Sequence, residues 1–405
     1  MQTIKNNAIK IIIFFGLISL FGDIIYEGAR SVNGPYLKIL GANAVLVGFI
    51  AGISEFIGYF IRFFSGYISD KTKSHWLLTF IGYGLLISVP MLAFTSIWQF
   101  AAFLIIIERL GKAIRSPAKD TIVSLAANKV GTGFGFGLLE ALDQIGALIG
   151  PAIFTIYFYF SKTNKNEITT YQNAYNLLWF PFLILIFCII LTYFKYSKIL
   201  EEEKRTAEIK KDNLPKIFWL YSIFIFLTTI GFINFLLLSY HYKKFKILSD
   251  YQIPLFYAIA MIIDAFAAVV IGKLYDVLKE KKKNIYAGLL TLFIIPIFTL
   301  FIPLFGFSNN LFLIFIAVFI WGIVMATHET IMKSAIADIT SLKKRGTGYG
   351  IFNSIYGLAM FIGSSLVGFF YEKNFFILIN FIIFMQIFSC LILILIYKEI
   401  KKNKS

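Results

Sequence analysis

The chain has 405 residues, of which 59% are hydrophobic and 18% aromatic, with 46 Phe and a mean hydropathy of +0.79; no soluble core needs that much apolar surface. A formal charge of +16 would suggest nucleic acid for a soluble protein, but the Lys and Arg residues gather in alternate short loops, so no nucleic-acid partner is expected. Cys188 and Cys390 lie inside apolar runs and no metal-ligand or nucleophile–His–Asp spacing appears, which argues against a disulfide framework, a metal site, a cofactor and an enzyme.

The first apolar run, Ile11 to Phe21, follows Lys5 and Lys10 as a signal peptide would. Asp23, Tyr26, Glu27 and Arg30 come next with no small-residue cleavage site, so it reads as a retained first span. Apolar windows of membrane-crossing length then fall near 43–69, 76–96, 98–117, 133–160, 173–194, 216–240, 251–275, 284–305, 310–337, 347–371 and 375–397, with the first at 10–39. The expected fold is an all-α polytopic membrane protein of 12 transmembrane helices. It is divided into an N-terminal six-helix bundle (1–194), a charged linker (195–215) containing EEEKRTAEIKKDN, and a C-terminal six-helix bundle (216–405).

Twelve spans put both termini on one side. Lys71 and Lys73, Arg115 to Lys129, Lys279 to Lys283, Lys343 to Arg345 and the Lys-rich tail share that side, against sparser charge at Lys38, Lys162, Lys165, Lys243, Lys244, Lys246 and Lys373. The bias predicts cytoplasmic termini in a multi-pass protein of the cell membrane; a monomer is the expected state.

An internal repeat runs through these windows. Gly66-Tyr-Ile-Ser-Asp70-Lys-Thr-Lys73 closes the second window and Gly272-Lys-Leu-Tyr-Asp276-Val-Leu-Lys279 closes the eighth. Likewise Gly131-Thr-Gly-Phe-Gly135 opens the fifth and Gly346-Thr-Gly-Tyr-Gly350 the eleventh. Paired echoes six windows apart imply duplicated halves, a recurrent plan in secondary transporters.

With these motifs the chain resembles the major facilitator superfamily over essentially its whole length, Gly66, Asp70, Lys71 and Lys73 matching the family's motif between the second and third helices. Arg109 resembles the family's membrane-embedded arginine, and Gly146-Ala-Leu-Ile-Gly150-Pro151 resembles the fifth-helix motif of proton-coupled exporters, although a close-packing notch with a Pro bend would read the same way. The strings DIIYEGARSVNGPYL, ERLGKAIRSPAKD and LLEALDQIGALIGP resemble a prokaryotic branch, common in archaea, of uncharacterised transporters.

Ionisable groups at bilayer depth are costly, so each invites a functional reading and a partner. Asp23, Tyr26, Glu27 and Arg30 share one helical face, as do Glu55, Tyr59 and Arg62; Glu108 and Lys112 form an i, i+4 pair beside Arg109; Glu140 and Asp143 are expected to join Arg109 and Lys112 in a buried network. The second half offers chiefly Asp264, His328, Glu329 and Lys333. Coupling therefore falls to the first half, with Glu27, Glu140 and Asp143 as proton carriers and Arg109 as charge relay or substrate anchor. His328, next to Glu329 but without HExxH spacing, reads as a proton-relay or packing residue.

At the cytoplasmic helix ends, Gly66 would allow close approach while Asp70, facing the positive N-terminus of a neighbouring helix, would act with Lys73 as a removable latch; the resemblance implies that the partner is the eleventh helix at Gly346-Thr347. The repeat predicts the same of Gly272 and Asp276 toward Gly131-Thr132. The resulting expectation is proton-coupled export of a small amphipathic or cationic compound or metabolite. Organic-anion uptake or exchange anchored by Arg30, Arg62 or Arg109 is the alternative, and a non-transporting membrane sensor or enzyme the alternative of another class.

Overall fold

A computed structural model describes residues 2–72, 74–130, 132–161, 166–201, 214–282, 285–340 and 345–402. Every regular element among them is helical: α1 (Gln2–Ile39), α2 (Ala44–Thr72), α3 (His75–Gly84), α4 (Trp98–Val130), α5 (Thr132–Phe160), α6 (Glu167–Asn176), α7 (Trp179–Glu201), α8 (Lys216–Ile230), α9 (Phe235–Lys244), α10 (Gln252–Lys282), α11 (Ile294–Thr299), α12 (Phe301–Gly306), α13 (Leu311–Ile339), α14 (Arg345–Lys373) and α15 (Phe375–Lys402). Backbone N–H and C=O groups facing hydrocarbon have to find partners within the protein, and a helix of these long apolar runs pairs them within its own segment.

Among the described residues eleven segments are long and apolar enough to cross a membrane, from Ala8–Ile39 to Phe375–Glu399. The fourth expected span, within α4, is missing from that set because Glu108, Arg109, Lys112, Arg115, Lys119 and Asp120 fall along it; its 33 residues are nonetheless long enough to cross. Several expected single helices are composite. The third span continues from α3 into 3-10 turns at Leu85–Ser88 and Pro90–Phe94, where Pro90 lacks the N–H that an α-helix would use. The ninth runs from a 3-10 segment, Ile285–Phe293, into α11 and α12, with Pro296 and Pro303 near their starts. The seventh is interrupted between α8 and α9 at Gly231 to Asn234.

The chain forms two compact units. The first comprises Met1–Ala42, Ile57–Ala207 and Leu248–Ala258; the second comprises Asn43–Phe56, Glu208–Ile247 and Ile259–Ser405. Thus α2 begins in the second unit and ends in the first, and α10 does the reverse. In the first unit α1 is central, packed on α4, α5 and α7, and α3 packs on α4. In the second, α8 lies against α14 and α15, and α13 against α11 and α12. The first turns of α2 also belong there. Glu372 of α14 accepts the Ala44 N–H at 3.0 Å and pairs with Lys244 at 3.2 Å, while a Cβ at Gly52 would stand 2.9 Å from Phe361 Cα.

Candidate functional site

Within the first unit, Ser19, Asp23, Tyr26, Glu27 and Arg30 lie along one face of α1 at helical spacing. Helix α5 is pressed onto α1 through its two glycines. A Cβ at Gly146 would come within 2.9 Å of Asp23 Cβ and clash with the Leu20 carbonyl, and one at Gly150 would stand 2.7 Å from Gly28 N. The G-x-x-x-G-P segment is therefore a backbone-to-backbone notch, with Pro151 inside a continuous helix. That closeness brings Asp23 beside α5.

Glu27, 6% exposed, is the best-enclosed carboxylate of this face. Arg30 Nη1 lies 3.6 Å from its Oε1, and Tyr257 at the start of α10 donates its hydroxyl to Oε2. At the residue before Glu27, Lys112 Nζ donates to Tyr26 Oη at 2.6 Å and stands 3.9 Å from the centre of that ring; Arg109 Cζ lies 5.7 Å from the same ring. Further along, Lys119 Nζ donates to Ser19 Oγ at 2.9 Å and pairs with Asp143 Oδ2 at 3.8 Å, while Arg115 Cζ sits 4.7 Å over the Tyr83 ring. Asp23 is within electrostatic range of Glu27, Lys112, Lys119 and Asp143 and so joins the two clusters. Carboxylates of α1 and α5 set against the cations of α4 offset what isolated buried charges would cost.

Several expectations are corrected. Glu140 is exposed, and its described hydrogen bond is a 3.4 Å contact from Gln144; the buried stripe of α5 passes through Leu139, Gly146 and Gly150, and position 140 is turned about 100° from Leu139. Asp143 forms its ion pair with Lys119 and lies within electrostatic range of Lys112. Glu108 pairs with its neighbour Arg109 (Oε2 to Nε 3.4 Å) and not with Lys112, which reaches toward α1 instead. Arg62 Cζ lies 5.0 Å over the Tyr59 ring, both on the first unit's part of α2, whereas Glu55 is buried in the second unit. Asp264 is buried in the second unit and Glu329 is exposed there.

Among the latch residues, Gly66 and Gly272 have room for a methyl group: a Cβ would meet Pro117 Cβ at 3.6 Å and Thr330 Cγ2 at 3.4 Å, ordinary contacts, so close approach is not what these glycines supply. Lys73 and the side chains of Asp70, Thr132 and Thr347 lie outside the described residues, as does that of Lys333. Asp276 is exposed, and the engaged carboxylate nearby is Asp338, which accepts from Tyr275 Oη at 2.8 Å and Lys279 Nζ at 2.7 Å. Asp338 was legible as a further repeat, Arg115-Ser116-x-x-x-Asp120 returning as Lys333-Ser334-x-x-x-Asp338. Lys119 was legible too, two turns after Lys112. Ser19 and Tyr257 carry no comparable signal, being single polar groups in apolar runs.

A sequence profile of the Major Facilitator Superfamily matches residues 12–364 and 281–405. The chain belongs to the Major Facilitator Superfamily. An uncharacterised protein of Mycobacterium tuberculosis is 33% identical to this superfamily member over 90% of the chain and 88% of its own length. An uncharacterised MFS-type transporter of Methanocaldococcus jannaschii is 24% identical over 91% of each chain. Solved structures of similar fold include the nucleoside transporter NupG, at a TM-score of 0.70 and 13% identity covering 96% of this chain and 98% of that one. A POT family transporter in complex with 5-aminolevulinic acid matches at a TM-score of 0.71 and 13% identity, covering 97% and 96%. At such identities these two likenesses are of fold alone, and with the family match they make this MFS chain a multi-pass transporter.

Proposed function

We propose that this transporter is proton-coupled, moving a small solute by alternating access with Glu27 as its proton-carrying carboxylate. The observation that carries the reading is the setting of Glu27: a buried carboxylate held at once by a cation, Arg30, and by a neutral donor, Tyr257, whose segment begins α10. Neutralising such a carboxylate removes its attraction to Arg30 and weakens its hold on Tyr257, so a proton would loosen α10 from α1. Asp23, Lys112, Lys119 and Asp143 form the remainder of the relay, and Arg109 stacks beside it.

Export of an amphipathic or cationic compound is the direction and substrate class favoured by the acidic groups and the Phe-rich spans. Uptake or exchange of an organic anion has one specific observation in its favour: among the grouped side chains, the cations Arg30, Arg62, Arg109, Lys112, Arg115 and Lys119 outnumber the carboxylates Asp23, Glu27, Glu108 and Asp143. We place the protein in the cell membrane with both termini in the cytoplasm, from its loop charges. The test is proton movement in proteoliposomes under an imposed pH gradient, challenged with a panel of cationic drugs and organic anions. Solute-triggered flux that disappears in Glu27→Gln supports the reading; solute movement that is equal in the variant, or free of proton movement, overturns it.

A further inference from the structure

The ninth span opens on a long 3-10 run. Ile285–Phe293 holds that conformation for 9 residues, where such runs seldom exceed about three or four. With three residues per turn, side chains three apart lie one above the other, so the run presents three edges. Leu289 and Leu292 form a buried edge. Gly288 and Thr291 form a second, and Gly288 is pressed onto α10, where a Cβ would stand 2.6 Å from the Tyr275 ring. Tyr275 is itself held through its hydroxyl by Asp338. Leu290 and Phe293 form the third edge, which is only half-buried.

Between that third edge and α15 runs an open groove of about 290 Å³, lined by Leu290, Phe293, Ile394 and Tyr397. A 3-10 helix is tighter than an α-helix, and this one is drawn to α10 at Gly288, which leaves the space beside α15 unfilled. The groove opens on an apolar surface. Ile394 is 44% exposed and continues a strip of α15 with Ile387, Phe388 and Leu391, all exposed, and hydrocarbon is what such a face of a membrane span meets. A volume at the lower limit of ligand clefts, about 300–1,000 Å³, on a face turned to hydrocarbon suits one acyl chain better than a solute arriving from water.

At one end of the groove the apolar surface gives way to positive charge. Lys398 and Lys401 follow Ile394 by four and seven positions, the spacing that returns to one helical face, and Lys398 is exposed. Glu399 is the one carboxylate in the sequence from Phe375 to Ser405, and Lys216 Nζ pairs with it at 3.2 Å. Lys281, Lys282 and Lys283 come just before the 3-10 run, with Glu280 beside them. The eighth and twelfth spans end, and the ninth begins, on the same side of the membrane, so both lysine groups stand at the same end. The antiparallel course of the 3-10 run and α15 puts Leu290 and Tyr397 toward that end and Phe293 and Ile394 deeper.

We propose that this groove is a site for an anionic phospholipid, one acyl chain lying along Leu290, Phe293, Ile394 and Tyr397 and the phosphate meeting the lysine-rich end at Lys398. Tyr at the mouth is a residue type of the membrane–water boundary, where its ring is apolar and its hydroxyl reaches the headgroups. The lysine-rich end is the one we place in the cytoplasm, whose leaflet carries the anionic lipids. A zwitterionic lipid would fill the groove as well but brings no net charge for the lysines to meet. The site is separate from Glu27 and from whatever solute is carried.

The experiment is photolabelling of the full chain in phosphatidylcholine nanodiscs that carry a trace of either phosphatidylglycerol or phosphatidylcholine with a diazirine in one acyl chain, the labelled peptides being mapped by mass spectrometry. The expected result is labelling of residues 290–293 and 394–397 at least about fivefold stronger by the glycerol probe than by the choline probe. That preference should fall to within about twofold in Lys398→Gln combined with Lys401→Gln, and also in about 1 M salt. Ile394→Trp, which fills the groove from an exposed position, should remove the labelling of 290–293 and leave that of the exposed stretch 266–270 of α10 unchanged. Equal labelling of the groove by the two probes, a preference that survives the lysine substitutions, or labelling of 290–293 no stronger than that of 266–270 would overturn the proposal. Nanodiscs offer the lipid to both faces of the protein and no gradient is present, so failure here leaves the role of Glu27 untouched, and failure of proton coupling leaves this site untouched.

Discussion

Tyr257 and Glu27 stand 230 positions apart in the sequence, yet the hydroxyl of one donates to the carboxylate of the other, and Arg30 holds the same carboxylate from one turn further along α1. A hydrogen bond to a charged group contributes about 1.5–3 kcal/mol. A double-mutant cycle of Tyr257→Phe and Glu27→Gln, followed by thermal unfolding in detergent, should show coupling of that order, with the double variant less damaged than the two losses summed. Additive losses would mean that the pair does not interact.

The glycines of α5 and α2 should behave oppositely. Gly150→Ala drives a methyl group into the backbone of α1, which cannot move aside as a side chain can, and should cost about 1–3 kcal/mol and much of the folded yield. Gly66→Ala should change stability by less than about 0.5 kcal/mol, since its methyl meets Pro117 at an ordinary distance. Monodispersity and unfolding temperature of the two variants distinguish these outcomes.

Lys119 and Asp143 are mostly enclosed, with side-chain exposures of 13% and 20%. Removing one partner leaves the other charge poorly compensated, so Asp143→Asn alone should destabilise more than Asp143→Asn combined with Lys119→Met. Thermal shift measurements on the two variants check the order. Glu140→Gln, at an exposed position, should leave both stability and transport near wild type.

The twelve apolar windows were legible because hydrocarbon imposes length and composition directly, and the motif repeat was legible because duplication preserves spacing. Which charges would meet was less so. Helical periodicity put Asp23, Glu27 and Arg30 on one face, but it could not say that Lys112 would choose Tyr26 over Glu108, since that choice depends on how close α4 stands to α1. Nor could local sequence announce the break at Gly231 to Asn234, whose backbone is satisfied by Trp321 and Gln386 from helices far along the chain.

Trp321→Phe keeps the ring and removes the donor to Ile233, leaving a buried carbonyl without its partner. A loss of about 1–3 kcal/mol is expected, read by thermal unfolding. A loss no larger than that of an exposed ring, such as Phe312→Leu, would show that the break does not depend on this bond.

The central claim, that Glu27 carries the coupled proton, is tested most directly by comparing two modes of transport in Glu27→Gln proteoliposomes, using whichever solute triggers proton flux in the wild type. Exchange of labelled for unlabelled solute needs no net proton movement, whereas accumulation against a gradient does. Retained exchange with accumulation lost by a factor of at least ten is the predicted result. Accumulation that persists in Glu27→Gln at the wild-type level would contradict the account.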